Sequence, residues 1–382
     1  MGKLSGGDTD GPWGFVPRWL PPFTLLDAWN NGTSLRYSGE FVWDGSKVEA
    51  LTFVQQDRGA LTIFVDSVTG LLQGFETLRD DGVHGDVSDA VRFADYEALE
   101  GVLFPKRRTD LMNGEVAREL SYRLKVNAAL DSPMFDLPKD VESPADPVPS
   151  ERIRRIAEGV YLDTDMGGVM IVEFKDFLVV VECPGDYWMS QSTIDAVTRK
   201  MPGKPIRYVV PSHTHGDHGG GARAYYQLQA AILTTPGNVE FYKKLANIRQ
   251  TIRPDPQSET PRAPIIETFS RKRVISDGGQ TLELHDVGPN THSEELTIAY
   301  LPRQRLLWQA DQVFTPMTGR ALNKAMPVTV EFAGRLRSLG LADFHQMVEA
   351  HHSRLLSAEE FRQMLRMADP RSDDAPSEAS WR

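Results

Sequence analysis

A single cysteine, Cys183, in 382 residues excludes an internal disulfide and the small stapled folds that depend on several. Its setting, Val181-Glu182-Cys183-Pro184, reads as a packing thiol at a strand end and not as a nucleophile. Long apolar runs are missing too. No stretch approaches the length of a membrane span, and the opening MGKLSGGDTDGPWG has neither the apolar core nor the cleavage site of a signal peptide. The default compartment is therefore cytoplasmic, with export left open if a signal was removed upstream. Positive charge is in short supply: 42 Lys and Arg against 53 Asp and Glu give a formal net charge of −11. That balance weighs against a long polyanion, so the expected partner is a small-molecule substrate and not nucleic acid. A homo-oligomer is compatible with the composition.

What the sequence does have is a dense cluster of metal-binding side chains. Ser212-His-Thr-His-Gly-Asp-His-Gly-Gly220 contains His213, His215, Asp217 and His218. Pro205 to Pro211 reads as a short buried strand and Gly219 to Ala231 as a helix, which puts the cluster on a strand-to-helix loop. Two residues apart on extended chain, His213 and His215 project the same way, while Asp217 and His218 fall on the turn and face a second position. Two neighbouring cations fit this pattern. Imidazole and carboxylate suit zinc, iron or manganese, and with no thiols nearby the site reads as open and catalytic, not as a closed structural zinc site.

His-Thr-His-Gly-Asp-His resembles the signature of the metallo-β-lactamase fold superfamily. The resemblance implies an α+β chain whose catalytic part is an αββα sandwich, two sheets between helices. It also implies further ligands downstream, in order. Val287-Gly-Pro-Asn-Thr-His292 resembles the segment carrying the third ligand of the first metal, Leu306 to Phe314 the strand end whose aspartate, Asp311, bridges both metals, and Val348 to Arg354 the last histidine. His351 and His352 are adjacent in that last segment, and His352 fits the family pattern better. The implied set is His213, His215 and His292 on one metal, Asp217, His218 and His352 on the other, and Asp311 between them. An aspartate at 311 further implies the glyoxalase, lactonase and related branches. His285 and His345 match no ligand position and read as strand-packing or surface residues, and His84 as a loop residue.

Composition divides the chain. Residues 133–152 are rich in Pro, Asp and Ser and read as a linker. Before it, Leu35, Tyr37, Phe41 and Trp43 alternate with mostly polar neighbours, Val116 to Val126 alternate likewise, and Asn113-Gly114 is a hairpin signal. Residues 33–132 thus read as a small antiparallel β domain after an N-terminal extension, 1–32. Phe93-Ala-Asp-Tyr96 and Gly101-Val-Leu-Phe-Pro105 are similar to curved-sheet lipoprotein-carrier modules, with a spacer or dimerisation role as the alternative. Residues 153–368 form the metallo-β-lactamase-like part. Within it Ser190 to Met201 reads as a serine-capped helix, and Lys243 to Arg273 as either a lid or a passive excursion. Residues 369–382 read as a polar, disordered tail.

The expected function is a hydrolase with two divalent cations, zinc before iron or manganese, whose shared hydroxide attacks a lactone or ester while Asp217 handles a proton. Hydrolysis of a β-lactam or thioester is the alternative within this chemistry. A mononuclear iron enzyme resembling persulfide dioxygenases and a non-catalytic binding protein are the alternatives outside it.

Overall fold

A computed structural model of the chain describes residues 20–55, 59–127, 129, 151–315 and 321–368. The proposed linker, apart from its last two residues, the tail and most of the N-terminal extension lie outside the described residues. Two compact units emerge, Met1–Asp81 with Asp86–Leu137, and Pro138–Arg382 with Gly82–Gly85.

The first unit is one up-and-down sheet of seven strands in sequence order: β1 (Arg36–Trp43), β2 (Ser46–Gln55), β3 (Gly59–Asp66), β4 (Leu72–Asp81), β5 (Gly85–Leu99), β6 (Val102–Met112) and β7 (Glu115–Ser121). The β6–β7 turn is Asn113-Gly114, and both residues have positive φ, 51° and 83°, as a two-residue hairpin turn requires. A helix that the sequence pattern did not reveal, α1 (Pro21–Asn30), starts on two prolines that preset its first turn. Its Ala28 packs with Phe53, Leu61, Ile63, Phe75 and Phe93 of the sheet. This part of the extension therefore belongs to the core of the β unit.

The second unit has four layers. One sheet runs β14-β13-β12-β11-β10-β9-β8, from β8 (Ile153–Ala157), β9 (Val160–Asp163), β10 (Val169–Glu173), β11 (Leu178–Val181), β12 (Ile206–Val210), β13 (Ala231–Thr234) and β14 (Ile265–Thr268). From β11 to β14 its strands are parallel. Strands covered on both faces need continuous apolar runs, and Leu178-Val-Val-Val181 is one, buried throughout. The other sheet runs in order through β15 (Lys272–Ser276), β16 (Thr281–Asp286), β17 (Thr297–Leu301), β18 (Leu306–Gln309), β19 (Gln346–Glu349) and β20 (His352–Ser357).

Facing residues of the two sheets, among them Met170, Val179, Val181, Leu284, Ala299 and Trp308, form the central core. Outside the first sheet lie α2 (Tyr187–Lys200), α4 (Ala222–Leu228) and α5 (Val239–Asn247), packed through Ile194, Val197, Tyr225, Tyr226 and Tyr242. Between them in sequence, α3 (Gly216–Gly219) is a single turn. Outside the second sheet lie α7 (Pro327–Ser338) and α8 (Ala358–Ala368), packed through Phe332, Leu336, Phe361 and Met364. This is the expected αββα sandwich.

Three sequence expectations change. The helix over 219–231 is broken, because α4 begins only at Ala222 and Ala231 already opens β13. Gly220 and Gly221 form the break: a Cβ at Gly220 would strike Gly185 O, and one at Gly221 would strike Ser190 Oγ, so the chain passes too close to the start of α2 for side chains. The cap of α2 is Asp186, whose Oδ1 accepts from Met189 N at 2.8 Å, while Ser190 is an interior helix residue. Residues 243–273 are no single loop, since they include the end of α5, the short α6 (Pro256–Glu259), β14 and the start of β15.

Candidate metal centre

The ligand-type residues all sit where strands of the two sheets end. His213 follows β12, His292 lies in the β16–β17 connection, Asp311 follows β18, and His351 occupies the β19–β20 turn. His215 is the N-cap position of α3, and Asp217 and His218 lie inside that turn. Residues up to 138 apart in sequence thus converge because parallel strands bring their carboxyl ends to one edge.

Two donor groups form. His213, His215, His292 and Asp311 each offer a ligand atom within 4.8 Å of the others, and so do Asp217, His218 and His351. His213 Nε2 lies 2.9 Å from His215 Nδ1 and 3.2 Å from His292 Nε2. Asp311 touches both groups. Its Oδ2 lies 2.8 Å from His292 Nε2 and 3.0 Å from His218 Nε2, and its Oδ1 lies 3.3 Å from His351 Nε2. Asp217 Oδ2 closes the second group at 3.4 Å from His218 Nε2 and 3.6 Å from His351 Nε2. The structure brings together six of the seven residues chosen from sequence. The seventh, His352, begins β20 and belongs to neither donor group; its neighbour His351, in the turn before that strand, takes the place.

The outer nitrogens of three of the histidines are held. His218 Nδ1 pairs with Glu182 Oε2 at 2.9 Å, His351 Nδ1 with Glu349 Oε1 at 2.8 Å, and His213 Nδ1 with Ser212 Oγ at 3.0 Å. Glu182 and Glu349 are each 1% exposed, and sequence reasoning passed over both. The signal was present, since each closes a short apolar strand, Leu178-Val-Val-Val181 and Met347-Val348, as Asp311 follows Leu306-Leu-Trp308. Glu182 and Asp311 also adopt left-handed backbone, with φ of 90° and 59°, a strained conformation of the kind that persists at functional sites.

Charge in the cluster is strongly organised. Burial and the neighbouring His218 push His213 down to about 3, which keeps its ring neutral. Burial alone would also lower His218, but Glu182, Asp217 and Asp311 overcome it and push it up to about 12. Asp217 and Glu349 push His351 up to about 10. The His218 and His351 rings beside it hold Asp217 well below the usual carboxylate range. The protons on His218 and His351 are what a cation would displace.

The donor set fits divalent cations on one further observation. His218 Nε2 and Asp311 Oδ1 are buried with no hydrogen-bond geometry to any partner, a costly arrangement unless something else binds them. Three neutral nitrogens with one carboxylate oxygen suit zinc, and the second group adds a carboxylate that zinc, iron and manganese all accept. With two sheets between helices and the ligands in the implied order at the strand ends, the architecture is decided. The second unit has the metallo-β-lactamase fold.

No family model matches the chain. It is similar to the 2,4-dinitroanisole O-demethylase subunit alpha of Nocardioides sp. (strain JS1661), 29% identical over 124 residues, which are 32% of this chain and 34% of that protein. The match thus spans about a third of the relative's length. Solved structures that resemble the chain include the metallo-β-lactamase FIM-1 from Pseudomonas aeruginosa in a mono-zinc form, at 19% identity over 58% of this chain and 96% of that one, TM-score 0.40. The inverting sec-alkylsulfatase Pisa1 from Pseudomonas sp. is 16% identical over 55% and 40%, TM-score 0.39, and the flavodiiron protein from Giardia intestinalis is 16% identical over 57% and 58%, TM-score 0.40.

The other histidines take the roles their surroundings dictate. His285 is buried in β16 and pairs with Glu283 at 3.0 Å, a strand-packing residue, and His84 and His345 are exposed. Cys183 is fully buried, and burial holds its thiol well above its ordinary value, so it is inert as a nucleophile.

Proposed function

We propose that the chain is a metal-dependent hydrolase with two divalent cations, held by His213, His215 and His292 and by Asp217, His218 and His351, with Asp311 shared. The substrate class this reading favours is a lactone or carboxylic ester. The observation that carries it is the second donor group: a mononuclear iron enzyme needs only one set of ligands, and a binding protein needs none. Bound there, the cations supply a water with its pKa lowered toward about 7 and polarise a carbonyl oxygen.

The chain's own residues do the rest. Asp217 has the most exposed carboxylate of the cluster, its side chain 65% accessible, and it is ionised. In this reading the carboxylate oxygen that does not face the cation carries a proton from the attacking water to the leaving oxygen. Ser212 Oγ donates to Glu182 Oε2 at 2.8 Å and is fully buried, which excludes it as a nucleophile. Both Glu182 and Glu349 keep a histidine ring fixed while the reaction proceeds.

A second reading stays within hydrolysis. The curated relative is named for removing a methyl group from the oxygen of dinitroanisole, so an activated aryl ether or aryl ester belongs among the candidates, beside a β-lactam and a thioester. The test is elemental analysis of the purified protein with a screen over lactones, aryl esters, thioesters, phosphodiesters, 2,4-dinitroanisole and a chromogenic cephalosporin. Two zinc or manganese per chain with lactone or ester turnover supports the reading. One iron per chain with no hydrolysis overturns it.

A further inference from the structure

The two metal positions differ in what stands behind their histidines. At the second position both do the same thing: His218 presents Nδ1 to Glu182 at 2.9 Å, and His351 presents Nδ1 to Glu349 at 2.8 Å. At the first position, the Nδ1 of His213 meets only the hydroxyl of Ser212, at 3.0 Å. Among the described residues, no carboxylate pairs with an outer nitrogen of His215 or His292. We propose that the position formed by Asp217, His218 and His351 binds its cation more tightly than the three-histidine position and fills first, with Glu349 as a positioning residue for His351. This rests on the two-cation reading above.

The glutamates are placed for this purpose. A buried carboxylate is costly unless its oxygens are bonded. The bonds of Glu349 are few and aimed: Oε1 accepts from His351 Nδ1 and from His351 N at 3.0 Å, and Oε2 accepts from Thr315 Oγ1 at 3.4 Å. Two of its three partners are thus the same histidine. Glu182 is shared more widely, because it also accepts from Ser212 N at 3.2 Å and Ser212 Oγ at 2.8 Å. A carboxylate on Nδ1 fixes the proton there, leaves the lone pair on Nε2 facing the metal, and raises the basicity of that lone pair. Losing such a partner typically weakens metal binding about 10- to 100-fold.

Charge points the same way. The second position has Asp217 as a direct ligand, a share of Asp311, and two carboxylates behind its histidines, whereas the first has three neutral rings and its share of Asp311. A cation gains more from the more anionic surroundings.

The experiment titrates full-length metal-free protein with Zn²⁺ against a chromophoric chelator and with Co²⁺ by absorption spectroscopy, for the wild type, Glu349→Gln and Thr315→Val. Two resolved steps of one cation each are expected. Glu349→Gln should weaken the tighter step about 10- to 100-fold, shift the cobalt spectrum of that step, and leave the weaker step in place. Thr315→Val, which removes only the anchor of Glu349, should weaken the same step less, and it serves if Glu349→Gln fails to fold. The inference is overturned if both steps weaken together, if the tighter step is untouched, or if the wild type binds two cations with equal affinity. A wild type that binds fewer than two cations overturns the two-cation reading itself.

Discussion

Gly168 N donates to Ala350 O at 2.7 Å, tying the start of β10 to the turn that carries His351. The same glycine's carbonyl accepts from Trp308 Nε1 at 2.7 Å, so both sheets are clamped at the metal edge. A Cβ at Gly168 would strike Glu349 O and come within 3.0 Å of Ala350 Cα, and backbone cannot give way as a side chain tip can. Gly168→Ala should therefore destabilise the protein by about 1–3 kcal/mol, the usual range for overpacking. Metal retention at the second position should fall more than at the first. Thermal melting with metal analysis checks both, and unchanged melting with full occupancy would contradict the clamp.

The neighbouring histidines separate cleanly. His351 Nε2 faces Asp217 and Asp311, whereas His352 belongs to neither donor group. His351→Ala should lose one of the two cations and reduce hydrolysis at least about 100-fold, on the scale of losing a group that acts in the transition state. His352→Ala should keep both cations and nearly full activity. Elemental analysis and steady-state kinetics of the two variants decide it, and the reverse pattern would restore His352.

Much of this centre was legible in the sequence because a tight motif overdetermines itself. His213, His215, Asp217 and His218 have no better joint explanation than metal binding, and His292 and Asp311 follow at apolar strand ends. The choice between His351 and His352 was not legible, since it depends on where β19 ends and the turn begins, and strand boundaries are set by tertiary pairing. Glu182 and Glu349 escaped for a related reason: an acidic residue closing a strand reads as surface until the opposite sheet is known to cover it. The β unit was visible through its period-two alternation and Asn113-Gly114, while α1 carries too weak an apolar stripe to stand out. Gly220 and Gly221 were read as helix because their demand for close approach to α2 is invisible along the chain.

Deeper in the second unit, Arg223 and Asp255 form a fully buried pair, Nε to Oδ2 at 2.6 Å and Nη2 to Oδ1 at 2.7 Å. Arg223 also donates to Leu245 O and Ile248 O, each at 2.7 Å, which fixes the segment after α5. Asp255→Ala would leave a guanidinium buried without its carboxylate, at a cost of about 3–5 kcal/mol. Chemical denaturation should show this as a lowered midpoint with little change in slope. Metal affinity should be preserved in the fraction that remains folded, because the donor residues lie on other segments.

The metal-free and metal-loaded protein should differ in how their stability responds to pH. Metal-free, His351 is raised from 6.5 to about 10 by Asp217 and Glu349, so its contribution to stability is complete below pH 6.5 and is lost as the pH rises to about 10. His213 is depressed from 6.5 to about 3 by burial, so stability also falls below pH 6.5, where the unfolded chain takes up a proton that the folded ring refuses. The metal-free protein should therefore be most stable near pH 6.5. Cations compete with the protons on His218 and His351, so zinc should stabilise more as the pH rises and the gap between zinc-loaded and chelated melting temperatures should widen from about pH 5 to about pH 9. A gap that stays constant over that range would mean that neither histidine gives up a proton to the metal.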